Sequence, residues 1–403
     1  MQKPAPALDV AASSAALIER AAELAPLIRS EAAAGEENRC VPPAVVEAIG
    51  GAGFFRLAQP KRFGGLECDQ PTIIRCLMQW SPADASTAWV AGLAIMHQWI
   101  IALFPAQAQE DIWSDNPDAI TFGSYAPSGT CERVAGGFRI SGTWLYASGI
   151  DHGDWGLLGV LMPPVGEGPP APGFVIVPKS DYRINATWDP MGLAATGSND
   201  VICEQVFVPQ HHAITFAELA SGEAPGTQIN TGPLYRYPLL SFIAYCIASP
   251  AVGCLEGALD QFIAQTGDWI TRGAVVRGGA KVAEYQSVQM RVGAAAAALK
   301  AAQAMMYAQL DASHQTVMVE GGTLSVAERM DNRITQSYII RLALEGLDEL
   351  WGAVGGAGIL KTEYIQRAWR DAHAVAHHVS FNWDALTAMY GQHLLGLEPQ
   401  GQY

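Results

Sequence analysis

Apolar residues in the first part of the chain return every three to four positions, as from Ala12 to Ile28 and from Pro43 to Gly51. That is the spacing of one buried helix face. Pro42-Pro43 marks a helix start and Gly51-Ala52-Gly53 a stop, since proline suits the first turn and glycine the left-handed exit. Ser81-Pro82-Ala83-Asp84 has the Ser-then-Pro order of a capped start for the run Ala85 to Ile101. The pattern then changes. Ile120 to Tyr125, Gly137 to Ser141, Trp155 to Met162, Gly173 to Val177 and Val201 to Val208 are short β-rich runs cut by Gly and Pro, and they predict strands. Pro163 to Gly173 predicts a loop. Long helical stretches return after about residue 232, among them Ala294 to Ala298 and Met330 to Trp351. The expected fold class is mainly α with a central β domain: helices in 1–118, strands in 119–231 and a helical bundle in 232–403.

The chain has 403 residues, 50% hydrophobic and only 16% charged, so two or three layers around a large interior are expected. A formal charge of −15 argues against nucleic acid and anionic membranes, which both need a cationic face. The seven cysteines are odd in number and scattered without a C-x-x-C pair, signalling neither a zinc site nor a disulfide framework. The first residues are polar and Ala-rich without an apolar signal core. The greasiest stretch, Leu239 to Leu255, is broken by Ser241, Ser249 and Pro250, which suits a membrane span poorly. Cytoplasm is the expected location.

Near the C-terminus stands Gln366-Arg367-Ala368-Trp369-Arg370-Asp371-Ala372, with His378 eight residues after Arg370. This run resembles the acyl-CoA dehydrogenase fold, whose members carry Arg-Asp-Ala and then a Tyr-Glu-Gly-Thr box. The Glu of that box takes the α-proton of a thioester. Counted from Arg370, the Tyr falls on His378 and the Glu on Val379. Valine cannot accept a proton. A histidine at that site is similar instead to the sister branch, the two-component (group D) flavin-dependent monooxygenases that hydroxylate aromatic rings such as p-hydroxyphenylacetate, phenols and indoles. The fold implied is acyl-CoA dehydrogenase-like: an N-terminal helical domain, a small β-barrel or sandwich, and a C-terminal four-helix bundle.

Further segments carry the resemblance. Gly142-Thr143-Trp144-Leu145-Tyr146-Ala147-Ser148-Gly149, then Asp154-Trp155, is similar to a strand that runs along the flavin. It implies that Tyr146 lies beside the cofactor and Ser148 on its N5/O4 edge. The run from Asp189 to Asp200 and then Val206 to Pro209 resembles the family's next signature, which brings Thr196 and Ser198, with Ser124, among the flavin contacts. Tyr285 to Gln289 looks like the helix carrying a flavin-binding glutamine, here Gln286, and Gly355-Gly356-Ala357-Gly358 like the turn that approaches a neighbour's flavin in tetramers. Arg272, or else Arg277, would neutralise flavin phosphate. His97 resembles a histidine facing the flavin–substrate cavity, and Trp99, Phe381, Trp383 and Tyr390 are candidate substrate walls.

The resemblance implies an oxygenase component that uses reduced flavin (FADH2 or FMNH2) and O2, through a C4a-hydroperoxide, to hydroxylate a small aromatic. A homotetramer and a separate NAD(P)H:flavin reductase are the expected partners. His378 is the candidate base, because imidazole titrates near working pH, with His377 as rival. Ser148 is the candidate hydrogen-bond partner at N5. Other readings stay open: a dehydrogenase or oxidase acting on a thioester with Glu256 as base, an N- or S-oxygenase, or a non-catalytic scaffold. His373 and His377 have a spacing that can bind metal on one helix face, but no H-E-x-x-H accompanies them and no metal is expected. Gly166-x-Gly168-x-x-Ala171 mimics a dinucleotide motif, but Pro169, Pro170 and Pro172 forbid the helix that should follow.

Overall fold

The computed structural model describes residues 13–164, 166–267, 269–270 and 281–403. Five helices come first: α1 (Ser14–Asn38), α2 (Pro43–Gly51), α3 (Gln70–Trp80), α4 (Ala85–Ile101) and α5 (Ala106–Trp113). Every residue of α4 is buried, so its apolar character goes all the way round, as for a helix at the centre of a fold. Its cap is Asp84 and not Ser81. The Asp84 carboxylate accepts the Thr87 N–H at 2.8 Å, whereas Ser81 Oγ donates to the Leu77 carbonyl at 2.8 Å and closes α3. The residue directly before the first turn takes the orphan N–H.

Eight strands follow: β1 (Thr121–Ser124), β2 (Thr130–Val134), β3 (Gly137–Ala147), β4 (Trp155–Met162), β5 (Ala171–Pro178), β6 (Arg183–Asn185), β7 (Asn199–Pro209) and β8 (Ala213–Thr215). They form two four-stranded sheets, ordered β1-β4-β5-β8 and β2-β3-β7-β6. The five runs read as strands from the sequence are β1, β3, β4, β5 and β7. The three that escaped are short, and β2 and β6 have no buried positions, so they carry little apolar signal. A short helix, α6 (Phe216–Ala220), precedes the bundle of α7 (Leu239–Thr266), α8 (Gln286–His314), α9 (Val326–Trp351), α10 (Tyr364–Ala376) and α11 (Trp383–Leu394). By length and composition α7 could cross a membrane, yet 83% of its most apolar window is buried inside the fold. It is the core helix against which α3, α4, α8, α9 and α10 pack.

One joint holds the three parts together. Asp371 on α10 accepts the Leu193 N–H at 2.6 Å. Beside it Arg370 donates to the Met191 carbonyl at 2.5 Å and pairs with Glu36 on α1. The loop sits so close to α10 that a Cβ on Gly192 would stand 2.2 Å from the Arg370 carbonyl oxygen. Leu193 itself has φ +54°, a left-handed conformation unfavourable for a branched residue. Asp371→Ala would leave the buried Leu193 N–H without an acceptor, at a cost of about 1–3 kcal/mol visible as a lower Tm. Asp371→Asn, whose amide oxygen still accepts, should lose less. Equal losses in the two variants would show that this hydrogen bond does not hold the joint.

Candidate active site

The joint passes directly into a line of hydroxyls. Thr196 Oγ1 donates to the Leu193 carbonyl at 2.8 Å and lies 2.7 Å from Ser198 Oγ, which lies 2.7 Å from Ser148 Oγ; Trp89 Nε1 on α4 donates to Ser148 at 3.2 Å. Each hydroxyl has a single proton, so the direction of the line follows from its end. Thr196 spends its proton on the carbonyl, hence Ser198 donates to Thr196 and Ser148 donates to Ser198. Ser148 Oγ, already accepting from Trp89, keeps one lone pair. It is a preset acceptor for an N–H.

Tyr146 lies two residues earlier, where β3 slips register against β7 between Trp144 and Ala147. It has φ +63° and is 67% exposed, with its ring edge-on to Trp188 at 6.0 Å. A tyrosine held left-handed at a β-bulge stores about 1–3 kcal/mol of strain and is the kind of outlier that marks a ligand clamp. An exposed aromatic face beside an N–H acceptor fits a flat heterocycle carrying an N–H, as reduced flavin does at N5.

His378 caps the turn Val379–Phe381 and is half-buried. Its Nδ1 accepts the Ser380 N–H at 3.2 Å, so the neutral ring carries its proton on Nε2. The ring stands edge-on to Trp89 at 5.4 Å and lies 5.8 Å from Phe381, which brings it to the same indole that holds Ser148. Burial, and then the Arg333 cation, push His378 down to about 4. Arg333, on α9, is 4% exposed; it donates to Gln336 Oε1 at 2.7 Å and to the Ser380 carbonyl at 2.8 Å, while its Nε has no partner. No carboxylate pairs with it among the described residues.

The other candidates fall in varied places. His97 is fully buried, with Nδ1–H donating to Thr121 O at 2.6 Å and Nε2 accepting the Tyr125 hydroxyl at 3.0 Å; burial lowers it to about 4. Both nitrogens are thus engaged, and the ring sits about two helical turns beyond Trp89, ~12 Å along α4. Trp99 is core: its N–H reaches the Leu234 carbonyl at 2.9 Å and its ring stacks on Phe242. Ser124 is buried at the end of β1, with no hydroxyl bond to the Ser148 line. Trp383 stacks on Tyr338 beneath Arg341 on α9, and Tyr390 donates to Asp331 at 3.0 Å in a small satellite cluster. Gln286, Gly355 and Gly356 are exposed on the bundle surface. Arg272, with Arg277, lies outside the described residues. His373 and His377 each spend Nδ1 on a backbone carbonyl one turn back. Glu256 points at α8, accepting from Gln303 at 3.1 Å.

Comparison with known proteins bears on this arrangement. Residues 17–115 match the family described as acyl-CoA dehydrogenase, N-terminal domain, and residues 245–383 the family described as acyl-CoA dehydrogenase, C-terminal domain. Over 96% of each chain it is 41% identical to the FADH(2)-dependent resorcinol hydroxylase, oxygenase component, of Rhizobium sp. (strain MTP-10005). The chain belongs to the flavin-dependent oxygenases of the acyl-CoA dehydrogenase fold. The structure of 3-HSA hydroxylase from Rhodococcus sp. RHA1 superposes with a TM-score of 0.89 at 31% identity, covering 98% of this chain and 99% of that one. That of XiaF from Streptomyces sp. in complex with FADH2 and glycerol gives 0.88 at 28%, covering 97% and 98%.

Two residues of the candidate site escaped sequence reading. Trp89 sits in a fully buried, mostly apolar helix where nothing distinguishes it from core, and Arg333 is one of several arginines on α9. The hydroxyl line makes a specific demand. Ser148→Ala should reduce the preference for reduced over oxidised flavin by up to about tenfold, the worth of one neutral hydrogen bond, as read by fluorescence titration of each form. Ser198→Ala frees the Ser148 proton to turn and should shift the preference part of the way. An unchanged preference in Ser148→Ala would remove this serine from the cofactor site.

Proposed function

We propose that the chain is the oxygenase component of a two-component system that hydroxylates a small phenol held as its phenolate. The observation that carries this reading is Arg333, a buried guanidinium without a carboxylate, hydrogen-bonded to the turn that presents His378. An uncompensated buried charge is costly, and an anionic ligand offsets the cost. Reduced flavin with dioxygen supplies an electrophilic oxygen, and the ring that meets it must be electron-rich. Ionising a phenol makes it so. An indole, or a sulfur or amine centre, needs no cation, and the site favours a phenol over them.

The role expected of His378 changes accordingly. With Nδ1 occupied by Ser380 N–H, the face of the ring that remains is the Nε2–H, a donor. At about 4 the imidazole stays neutral at working pH. His378 therefore donates to a substrate oxygen rather than taking its proton, and Phe381 provides an apolar wall beside it. Ser148 and Tyr146 hold the flavin edge, with Thr196 and Ser198 behind them setting the serine's proton. His97 acts by positioning, tying α4 to β1 through Thr121. The thioester reading has no base: Val379 occupies that position and is 84% exposed, and Glu256 faces Gln303.

Electrons come from a separate NAD(P)H:flavin reductase, because no nicotinamide motif stands in the chain. Exposed Ile359, Leu360, Leu394, Leu395 and Leu397 support self-association, read here as a homotetramer in which the Gly355-Gly356 turn approaches a neighbouring flavin. The cytoplasm, where reduced flavin is generated, is the location that fits.

Three measurements test the reading. Purified chain with NADH and oxidised flavin should turn over only after a reductase is added; NADH oxidation by the chain alone would contradict it. p-Nitrophenol bound by the wild type should show the visible phenolate band at a pH below its solution pKa. Arg333→Gln should lose that band and Arg333→Lys retain it, while binding of the neutral phenol by the wild type would sink the phenolate site. The rate of oxygen transfer should show no inflection near ~6.5, the unperturbed imidazole value, because His378 is already neutral above about 4. An inflection there that vanishes in His378→Asn would restore the general base.

A further inference from the structure

A second cluster stands away from this site, where α5 meets the turn between β7 and β8. His211 Nε2 and His212 Nε2 both reach one oxygen, Asp111 Oδ2, at 2.8 and 2.9 Å, and the three ligating atoms all lie within 4.8 Å of one another. Gln107 Nε2 donates to the other carboxylate oxygen at 2.8 Å and holds the group in place. Trp155 lies edge-on to His212 at 5.7 Å.

As plain hydrogen bonding this arrangement is incomplete. Each neutral ring that donates to Asp111 through Nε2 leaves a bare acceptor at Nδ1. For His212, 5% exposed, that Nδ1 is buried without a partner. The backbone group against the ring is the Ile176 carbonyl, itself an acceptor.

We propose that Asp111, His211 and His212 bind one divalent transition-metal ion of the zinc class, as a clasp between α5 and the central sheets. A cation that takes the Nε2 lone pair moves the ring proton to Nδ1, where it meets the Ile176 carbonyl. That is the outer contact metal-bound histidines ordinarily make. With Zn–N of about 2.0–2.1 Å the ligand atoms of a tetrahedron stand roughly 3.3 Å apart, so the two Asp111 contacts would open by a few tenths of an ångström while the two imidazole nitrogens, within 4.8 Å of each other, settle to that spacing. His211 and Asp111 keep 34% and 33% side-chain exposure, which leaves an entry path and room for water as a fourth ligand. The sequence hides the trio, because its acid lies 100 residues before His211 and the histidines are adjacent rather than at helix spacing.

The test is calorimetric titration of chelator-treated full-length chain with zinc chloride, repeated with cobalt(II) to read tetrahedral visible absorption. The expected result is one ion per chain at micromolar or tighter affinity. His211→Ala and Asp111→Asn should each weaken it by about tenfold or more, and both substitutions alter partly exposed side chains outside the apolar core. Zinc should raise the Tm of the wild type more than that of His211→Ala. Less than one ion bound, or variants that bind as tightly as wild type, would overturn the site.

Discussion

The hydrogen bond from Leu193 N–H to Asp371 orders the line of hydroxyls at the candidate site. Asp371 is enclosed, and burial, with Asp84 nearby, pushes its carboxyl up to about 7 against the pull of Leu193, Arg367 and Arg370. Its bond to the Leu193 N–H is the direct link between α10 and the loop. What it secures is the carbonyl of the same residue. Leu193 can turn its N–H to α10 and its C=O to Thr196 and Trp188 only in the left-handed conformation that the joint imposes.

From that carbonyl the polarity of the site follows without further assumption. The proton order Ser148 to Ser198 to Thr196 to Leu193 is a consequence of one fixed acceptor at the far end. The lone pair left on Ser148 is thereby defined before any ligand arrives, which is preorganisation in a literal sense: no hydroxyl has to rotate when an N–H approaches. Had the line ended on a donor, Ser148 would present its proton and suit an oxidised ring nitrogen instead. A contact between two domains thus sets which way the serine's proton points.

The order of helices, strands and helices was legible in the sequence because apolar periodicity records burial, and most elements bury a face. What periodicity does not record is where a short polar edge strand pairs, and β2 and β6 escaped for that reason. The Arg370-Asp371 run located His378 by register, but its structural work at Met191, Leu193 and Glu36 was invisible, since those partners are far away in sequence. Trp99 and Trp89 look alike in an apolar helix; one is filled by Phe242 and the other meets Ser148 and His378, and only packing tells them apart. His378 was found as a residue, while its protonation was not legible. Protonation depends on burial, on Ser380 N–H and on Arg333, none of which lies in a motif.

The exchange of a glutamate for Val379, beside His378, explains how one fold serves two chemistries. Proton abstraction next to a thioester carbonyl needs a carboxylate base aimed at carbon. Here the corresponding side chain points to solvent, and the preceding residue turns a donor inward beside a buried cation. A cation beside the imidazole disfavours the imidazolium and so weakens it as a base, but it stabilises an anion once formed, because field and donor both favour negative oxygen in a low-dielectric setting. Arg333 acts in two ways: its bond to the Ser380 carbonyl holds the turn that presents His378, and its charge adds to burial in keeping that imidazole neutral. A lysine would supply the charge without the fork that grips both Gln336 and the turn, so orientation and field are separable properties of this position.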